Sequence, residues 1–500
     1  MTIDGRSPCI IGVARRTWHP ADGPAPEPLA MWEQVVRESV ADTGVPGGLA
    51  DVDSLFVVHC MSWDYDDPTG RLAARLGIEP AHRQPSVLAG TAGQRMVNAA
   101  AERMLAGGSE LAVVVGGEAL ATRRAARASG DGPGWSHPAA DQDRPPIDLD
   151  EWIWPTEWAH DVLRPTLTFA ALDTARRAAL GVDPDDYHRS ESEVLAHLCD
   201  VAAADPGAWF PQRRTAAEIG TVTPQNRLIS SPYTKYMVAV MDVDMAAAVI
   251  VATHDKADAL GVPRDQRVYL RGWSFGRDAT HVAERPRLDA SPAMAAAASD
   301  ALGRAGIGVD ELTRMDLYSC FASSVLFATD ALGIATDDPR GLTVVGGLPY
   351  HGGPASNYTT HAVAGTVERL RSAGSGYGLV TGVGMHMTKH VWAVYGTEPG
   401  PVTPPDYGAV QARIDREPPR AVVARVDRPV GATIGCWSVT HGRTGSPASA
   451  LVVADLDDGA RAYGRTTDPD ALAGLSVGEW VGRRIRLRPG SAGVNEVVLD

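Results

Sequence analysis

Histidine and tyrosine side chains cluster in the second half of this 500-residue chain. Four of the fourteen histidines fall within about 40 residues, in two segments, 350–361 and 381–390, that also hold two tyrosines: His351, His361, His386, His390, Tyr350 and Tyr358. Imidazole and phenol groups can both give and take protons. The cluster therefore favours general acid–base chemistry without a covalent intermediate on the protein.

Cysteine, the other residue type able to do chemistry here, is sparse. The chain has five: Cys9, Cys60, Cys199, Cys320 and Cys436. No two of them form a C-x-x-C pair, so we expect no structural zinc or iron–sulfur site. His386 and His390 are four residues apart, but residues 385–390 have the pattern of a strand end, where this spacing does not make a metal site. An odd, low cysteine count fits a reducing cytosol.

Charge and hydropathy exclude several classes of partner. The chain has 46 basic and 61 acidic residues, a net charge of −15, which argues against nucleic acid or anionic membrane as the main partner. Residues 1–16 lack the features of a signal peptide, and no apolar run approaches the roughly 20 residues of a membrane span. We therefore expect a cytoplasmic protein with no membrane insertion.

Strand-like and helix-like segments alternate through most of the chain. In the first part the pattern predicts strands at 9–14, 54–60, 85–89 and 111–115, and helices at 29–43, 69–76 and 93–106. After position 268 it predicts helices at 292–305, 324–332 and 361–370, and strands at 315–318, 343–347 and 378–384. Because the strands are continuously apolar, we expect a parallel sheet covered on both faces.

Two regions depart from this alternation. Residues 121–226 hold Pro and Gly clusters, four of the twelve tryptophans and a predicted helix pair at 167–180 and 190–204. They form either a lid over a pocket or a surface subdomain with its own aromatic cluster. Beyond about residue 421, short strands and one helix at 469–475 predict a small OB-type β-barrel.

An internal repeat links the two alternating regions. ERMLAGGSELAVVVGG begins at Glu102 and ERLRSAGSGYGLVTGV begins 266 residues later, at Glu368. Two duplicated halves would bring the start of one helix from each half to a shared cleft, where free N–H groups and helix dipoles stabilise anions. The candidate site segments are therefore 90–93 and 356–361. A chance match between two Ala/Gly-rich helices stays open.

The order and spacing of five motifs resemble the thiolase superfamily over about residues 6–400, most closely the branch related to the sterol-carrier-protein-linked thiolases. The motifs are AVVVGGEA at 112–119, DMAAA at 244–248, DLYSCF at 316–321, YHGGPASNYTTH at 350–361 and TGVGMHMTKH at 381–390. DLYSCF stands where thiolases have NEAF and this branch has HDCF. The tail resembles the extra C-terminal domain of actinobacterial type 1 thiolase-like proteins.

The resemblance implies an α/β fold, a duplicated five-layered αβαβα sandwich with an inserted loop domain and an OB-like barrel. The implied domains are an N-terminal half at 1–120 and 227–263, an inserted loop domain at 121–226, a C-terminal half at 264–412 and the barrel at 413–500. It also implies a member of the acetyl-CoA acetyltransferase family. Its substrate would be a coenzyme A thioester, and it would need no separate cofactor.

The same resemblance assigns roles to individual residues. Gly90 falls at the nucleophile position, where a thiolase has cysteine, and the neighbouring Thr91 is expected to cap a helix. The second cysteine position falls near Thr381 or Gly382. The candidate catalytic residues are His361, Tyr358, His351, Tyr318, Cys320 and His386, with a structural role for Cys320 as the alternative. The candidate ligand-binding residues are Gly90, Thr91, Gly352, Gly353 and Gly384.

Three functions stay open at this point. The first is an acyl-CoA-binding, thiolase-like protein that lacks ordinary thiolase turnover because Gly90 replaces the cysteine. The second is a lyase that makes or breaks a carbon–carbon bond of an acyl-CoA through histidine and tyrosine. The third is a non-catalytic coenzyme A or lipid carrier or scaffold. Lys389 is either a contact to a coenzyme A phosphate or a solvated lysine, and both a homodimer and a monomer remain open.

Overall fold

The computed structural model describes residues 4–45, 50–130, 132–140 and 152–499. The first part of the chain forms β1 (Pro8–Thr17), α1 (Pro28–Asp42), β2 (Ser54–Val57), α2 (Pro68–Leu76), β3 (His82–Pro85), α3 (Ala92–Leu105), β4 (Leu111–Ala119) and α4 (Leu120–Ser129). The middle forms α5 (Pro155–Ala159), α6 (Pro165–Leu180), α7 (Pro184–Ala203), α8 (Ala216–Gly220), β5 (Leu228–Ser230), β6 (Tyr233–Thr234), β7 (Asp244–Thr253) and α9 (His254–Ala259).

The second part repeats the alternation and ends in short strands. Its elements are β8 (Val268–Arg277), α10 (Pro292–Ala305), β9 (Leu312–Asp316), α11 (Ala322–Leu332), α12 (Tyr358–Ala373), β10 (Tyr377–Gly384), β11 (Lys389–Gly396) and α13 (Tyr407–Ile414). The C-terminal region forms β12 (Val430–His441), β13 (Pro447–Leu456), β14 (Arg461–Thr466), α14 (Pro469–Leu475), β15 (Arg484–Pro489) and β16 (Asn495–Leu499).

A nine-stranded mixed sheet forms the centre, in the order β3-β2-β4-β7-β1-β8-β11-β10-β9. Only the β2–β3, β2–β4 and β9–β10 pairs are parallel, and the pairs around the centre are antiparallel. The prediction of a parallel sheet was therefore wrong. A continuously apolar strand indicates that both of its faces are buried, and β4 and β7 are buried along their whole length. This burial does not determine the direction of the neighbouring strand, because a strand in an antiparallel sheet can also be buried on both faces.

The fold confirms the internal repeat. Helices α3 and α12 begin 266 residues apart, and so do strands β4 and β10. On either side of the central β1–β8 pair the strand order is mirrored, with β2-β4-β7-β1 on one side and β9-β10-β11-β8 on the other. The two halves are therefore related element by element, and the match is not a coincidence of composition.

Helices cover both faces of the first half-sheet. Leu111, Val113 and Val115 of β4 pack into one core with α1 and α2, whereas Ala112 and Val114 pack into a second core with α3 and α12. In the second half, α10 lies so close to β8 that a Cβ at Gly272 would be 2.3 Å from the carbonyl oxygen of Ala301. The five-layered stacking itself stays a prediction.

The C-terminal strands form a closed five-stranded barrel. Strand β12 pairs with both β13 and β15, and β14 and β16 complete the ring. Strand β5 extends this sheet through the Thr440–Ser230 pair. The hydroxyl of Thr174 on α6 donates to the carbonyl oxygen of Trp437 at 3.0 Å, so the inserted region packs directly on the barrel.

Two predicted strands differ from the structure. The strand predicted at 85–89 lies earlier, at His82–Pro85. The segment 343–347 is a loop, because the backbone N–H groups of Val344 and Val345 donate to the carboxylate of Asp316 instead of to a neighbouring strand. In the described parts of the chain, no helix combines the length and the apolar character needed to cross a membrane.

Candidate functional site

The N-termini of α3 and α12 meet inside the molecule. The backbone N–H of Gln94 donates to the hydroxyl of Thr359 at 2.9 Å, and the N–H of Ala89 donates to the hydroxyl of Ser356 at 3.1 Å. A Cβ at Gly93 would lie 2.3 Å from the hydroxyl oxygen of Thr360, so the close approach of the helices requires glycine there. The two candidate segments, 90–93 and 356–361, are thus in direct contact.

Tyr318 fills the space beside Gly90. A Cβ at position 90 would lie 2.4 Å from the Tyr318 hydroxyl oxygen and 2.1 Å from the carbonyl oxygen of Val383. Cβ atoms in proteins essentially never come within 3.0 Å of a heavy atom to which they are not bonded. Burial raises the pKa of Tyr318 well above its ordinary value, so the phenol stays protonated. The site therefore presents a phenol O–H where the family resemblance expects a cysteine thiol.

Tyr358 lies next to Tyr318 and is tied to a buried carboxylate. The two rings meet edge to face, with centroids 5.4 Å apart. The Tyr358 hydroxyl donates to Asp316 Oδ1 at 3.2 Å, and the hydroxyl of Thr343 donates to Asp316 Oδ2 at 2.8 Å. Burial raises the pKa of Asp316 to about 6. Asp316 belongs to the quoted DLYSCF motif, and its place at the end of β9 was the signal that could have identified it.

His361 and His351 form a buried pair. Nε2 of His351 lies 3.3 Å from Nδ1 of His361. The tautomers of the two rings determine which of these nitrogens donates the hydrogen bond. Burial lowers the pKa of His351 to about 3 and lowers that of His361 well below its ordinary value. Both imidazoles are therefore neutral at neutral pH. Within the described residues, His361 Nε2 is buried and has no hydrogen-bond partner.

A charged network lies behind this pair and was not found from the sequence. Asp205 Oδ2 lies 4.0 Å from His351 Nδ1, and Arg15 binds both Asp205, at 2.5 Å, and Glu368, at 2.9 Å. Burial, followed by repulsion from Arg15, lowers the pKa of His351, so His351 stays neutral although Asp205 lies near it. The three charged residues are far apart in the sequence and share no motif, so no pattern could have brought them together.

The candidate catalytic residue His386 and the fourth histidine of the sequence cluster, His390, lie apart from this pair. His386 sits in the turn between β10 and β11, where its Nδ1 is 2.9 Å from the hydroxyl of Thr168 on α6, and burial lowers its pKa to about 4. His390 binds Asp278 Oδ2 at 3.1 Å. The sequence cluster of histidines is thus divided among three places, and only His351 and His361 are in contact.

Cys320 is half-buried, and its environment disfavours a thiolate. Burial raises its pKa to about 12, and its sulfur lies 3.7 Å from the hydroxyl of Ser324. All five cysteines are free thiols. Among the described residues, no group of three or more His, Cys, Asp or Glu side chains is arranged to hold a metal ion.

The candidate ligand-binding residues divide into two groups. Thr91 stands at the N-cap of α3, but its side chain makes no capping hydrogen bond, contrary to the prediction. A Cβ at Gly384 would lie 3.7 Å from the Cβ of Ala89, which places Gly384 near Gly90. Gly352 instead packs against Met245, and the N–H of Gly353 donates to the carbonyl oxygen of Val240 at 2.8 Å.

The second cysteine position of the resemblance is also closed. A Cβ at Gly382 would lie 2.8 Å from Cγ1 of Val391 and 3.0 Å from Cγ2 of Thr359. The hydroxyl of Thr381 accepts the backbone N–H of Tyr318 at 2.8 Å. Neither residue presents a group that could move a proton on a substrate.

Known proteins give two kinds of likeness, although no protein-family model matches the chain. The 3-ketoacyl-CoA thiolase of Escherichia coli O9:H4 (strain HS) is 34% identical over 178 residues, which cover 32% of this chain and 36% of that protein. The 3-ketoacyl-CoA thiolase of Escherichia coli O157:H7 is 34% identical over 207 residues, which cover 38% and 42%. The chain thus spans about two fifths or less of the length of these curated relatives.

Solved structures extend the likeness to the whole chain. A monomeric SCP2-thiolase-like protein type 1 from Mycobacterium smegmatis aligns over 100% of both chains, with a TM-score of 0.87 and 29% identity. An Ltp2-ChsH2(DUF35) aldolase covers 79% of this chain and 98% of its own, with a TM-score of 0.58 and 17% identity. Human mitochondrial 3-ketoacyl-CoA thiolase covers 79% and 100%, with a TM-score of 0.55 and 15% identity. The last two likenesses are of fold alone. The Mycobacterium smegmatis structure and the curated thiolases support placing this chain in the thiolase superfamily.

Proposed function

We propose that this protein binds an acyl-CoA and does not carry out ordinary thiolase turnover. The observation that carries the proposal is the phenol of Tyr318 beside Gly90, in the space a side chain at position 90 would need. Thiolase chemistry needs a thiolate that attacks the thioester and carries the acyl group. A protonated phenol with a raised pKa cannot replace that thiolate.

The groups left at the site are neutral and suited to hydrogen bonding. Tyr318 presents an O–H beside the start of α3, and His361 has an unpartnered Nε2 among the described residues. A neutral donor aimed at a thioester carbonyl polarises that carbonyl without forming a covalent bond. In this proposal the coenzyme A thioester is the ligand, and no further cofactor is needed.

Calorimetric titration of the full-length protein with acetyl-CoA tests the binding. We expect saturable binding that weakens about tenfold in Tyr318→Phe, because the variant loses one hydrogen bond. Tyr236→Phe is the matched control, since Tyr236 contacts Arg214 and none of the site residues named above. Absence of acetyl-CoA binding by the folded wild-type protein would refute the proposal.

A second candidate is an aldol-type lyase, favoured by the proximity of Tyr318, Tyr358 and the histidine pair. In that reaction a base removes the proton of a β-hydroxyl group and the carbon–carbon bond breaks. An aldehyde or ketone leaves, and the acyl-CoA enolate then takes up a proton. One structural neighbour is an aldolase, a likeness of fold alone.

Incubation with a β-hydroxyacyl-CoA separates the candidates. Release of an aldehyde or ketone that is lost in His361→Ala and in Tyr358→Phe would favour the lyase. Binding without release would favour a non-catalytic coenzyme A or lipid carrier or scaffold. Thiolysis of acetoacetyl-CoA would contradict the first proposal directly.

We also propose the larger arrangement that the resemblance implies. Its parts are the five-layered sandwich, the domain boundaries given under sequence analysis, and the insertion 121–226 as a cover over the site. The packing of α6 on β12 and the contact of Thr168 with His386 support the covering role. Light scattering during gel filtration distinguishes a homodimer from a monomer.

A further inference from the structure

Three cationic side chains gather near the start of α3. Lys389 and Arg277 are direct partners across the β8–β11 pair, so their side chains stand on the same face of the sheet. Arg95 reaches this face from the first turns of α3, where its guanidinium carbon lies 4.2 Å from the ring centroid of Phe275. The chain as a whole has a net charge of −15, so this group of three cations is a positively charged patch on an acidic protein.

None of the three has a carboxylate partner among the described residues. Two carboxylates that are close to Arg95 and Arg277 along the chain are bound to other groups. Glu102 accepts hydrogen bonds from Trp273 and Tyr407, and Asp278 pairs with Arg285. Burial, followed by repulsion from Arg277 and Arg95, lowers the pKa of Lys389. An anion between the three cations would relieve that repulsion.

Aromatic rings hold two of the cations in place. The Lys389 ammonium nitrogen lies 3.8 Å from the ring centroid of Trp152, and Arg95 also lies 5.4 Å from the centroid of Tyr407. Cation–π contacts restrict long side chains without using their hydrogen-bond donors. In the described part of the chain, the donors of Arg95 and Lys389 therefore remain available to an incoming ligand.

We propose that Arg95, Arg277 and Lys389 form a binding site for a phosphate-bearing anion. Two guanidinium forks and one ammonium group match the several acceptor oxygens of a phosphate or diphosphate. The site lies beside the candidate functional site, because a Cβ at Gly384 would contact the Cβ atoms of both Lys389, at 3.4 Å, and Ala89, at 3.7 Å.

Two kinds of ligand would bring a phosphate group to this site. It belongs either to a free phosphate or diphosphate, or to a larger ligand such as coenzyme A. The first source is independent of the proposed acyl-CoA function, and the second rests on it. A ligand series can therefore separate a failure of this site from a failure of the acyl-CoA proposal.

Calorimetric titration of the full-length protein with inorganic diphosphate, coenzyme A and pantetheine tests the site. We expect diphosphate to bind the wild-type protein, and Arg277→Gln/Lys389→Gln to weaken that binding by at least about tenfold for each cation removed. Arg95→Gln alone should weaken it by about tenfold. Arg416→Gln/Arg443→Gln removes the same charge from two exposed arginines and should leave it unchanged.

The ligand series then identifies the source. Coenzyme A binding that is tighter than diphosphate binding and falls in the same variants, with pantetheine binding unaffected by them, assigns the site to coenzyme A phosphates. Equal binding of coenzyme A and diphosphate assigns it to a free phosphate ligand. The inference is overturned if the wild-type protein does not bind diphosphate. It is equally overturned if the control variant, with an unchanged circular dichroism spectrum, loses binding as much as Arg277→Gln/Lys389→Gln.

Discussion

At the scale of single residues, Gly90 and Tyr318 depend on each other. The tyrosine fits only because position 90 has no Cβ, and the glycine leaves no cavity because the phenol fills the space. Under the proposed function, the pair presents a neutral hydrogen-bond donor at the position where a thiolase would need its nucleophile. Placing a cysteine at position 90 would therefore require a smaller residue at position 318 as well.

Gly90→Ala tests this packing. We expect the free energy of unfolding to fall by about 1–3 kcal/mol, because the added methyl group meets the Val383 carbonyl oxygen and the Tyr318 hydroxyl. Urea unfolding measures the change. Gly384→Ala is the control: its Cβ would make only ordinary contacts, at 3.4 and 3.7 Å, and should change stability by less than about 0.5 kcal/mol. Equal stability of Gly90→Ala and the wild-type protein would contradict the packing.

The buried histidine pair gives the protein a characteristic response to acid. The pKa of His351 is about 3 in the folded chain against an ordinary value of 6.5. Between these pH values the unfolded chain binds more protons than the folded chain. The free energy of unfolding therefore falls as the pH falls, by about 1.4 kcal/mol per pH unit for each such group.

His351→Gln should remove part of that response. We expect the loss of stability between pH 7 and pH 5 to become about 2 kcal/mol smaller than in the wild-type protein, measured by urea unfolding at both pH values. His197→Gln, at an exposed histidine, should leave the loss unchanged. A His351→Gln variant with the wild-type pH dependence would show that His351 titrates normally in the folded state.

At the scale of elements, the contact between α3 and α12 positions the site. Thr359 uses its hydroxyl to accept the N–H of Gln94, one of the donors that a helix N-terminus would otherwise leave free. Gly93 lets the two helices approach closely enough for this bond. The duplication thus turns two helix starts toward each other, with Gly90 just before α3 and His361 in the first turn of α12.

Thr359→Val tests the contribution of that bond. The variant keeps the shape of the side chain but leaves a buried N–H without a partner. We expect a loss of about 1–3 kcal/mol in the free energy of unfolding. Thr359→Ser keeps the hydroxyl and should be more stable than Thr359→Val in urea unfolding. The reverse order would mean that packing of the methyl group, not the hydrogen bond, holds the helices together.

Sequence patterns local to each helix or strand predicted many of the elements. The predictions that were wrong concern segments whose conformation depends on contacts with residues distant in the sequence. Helices α10 and α14 have the predicted bounds, because a capping Ser or Asp and a following proline fix each start. The loop at 343–347 was misread as a strand, since its partner is the distant carboxylate of Asp316. At the site, the sequence singled out Gly90, His351 and His361. That Tyr318 fills the space beside Gly90 depends on packing between the two halves, which no local pattern reports.

At the scale of the whole molecule, Glu157 joins three regions. It lies in the insertion, its Oε2 is 2.7 Å from Nδ1 of His281 in the second half, and its Oε1 accepts the Tyr463 hydroxyl of the barrel at 2.7 Å. Burial alone would raise the pKa of Glu157, but hydrogen bonds from His281 and Tyr463 outweigh it and the pKa is lowered. One ionised carboxylate therefore couples the insertion and the barrel to the thiolase-like halves.

Glu157→Gln should weaken this coupling. An amide replaces one acceptor oxygen with an N–H₂ group, which faces either His281 or Tyr463. We expect the free energy of unfolding to fall by about 1–3 kcal/mol, measured by scanning calorimetry. Glu193→Gln, at an exposed position of α7, should stay within about 0.5 kcal/mol of the wild-type protein. If both variants unfold like the wild-type protein, Glu157 does not couple these regions.

Thiolysis of acetoacetyl-CoA by free coenzyme A tests directly whether the protein lacks ordinary thiolase turnover. The purified protein should be assayed beside an authentic thiolase, with its intact mass recorded during the reaction. We expect no acetyl-CoA formation above background and no acetylated protein, because a phenol O–H stands beside Gly90 where thiolysis requires a thiolate. Steady thiolysis by the wild-type protein, or an acetyl group on residue 91 or on Cys320, would contradict this expectation.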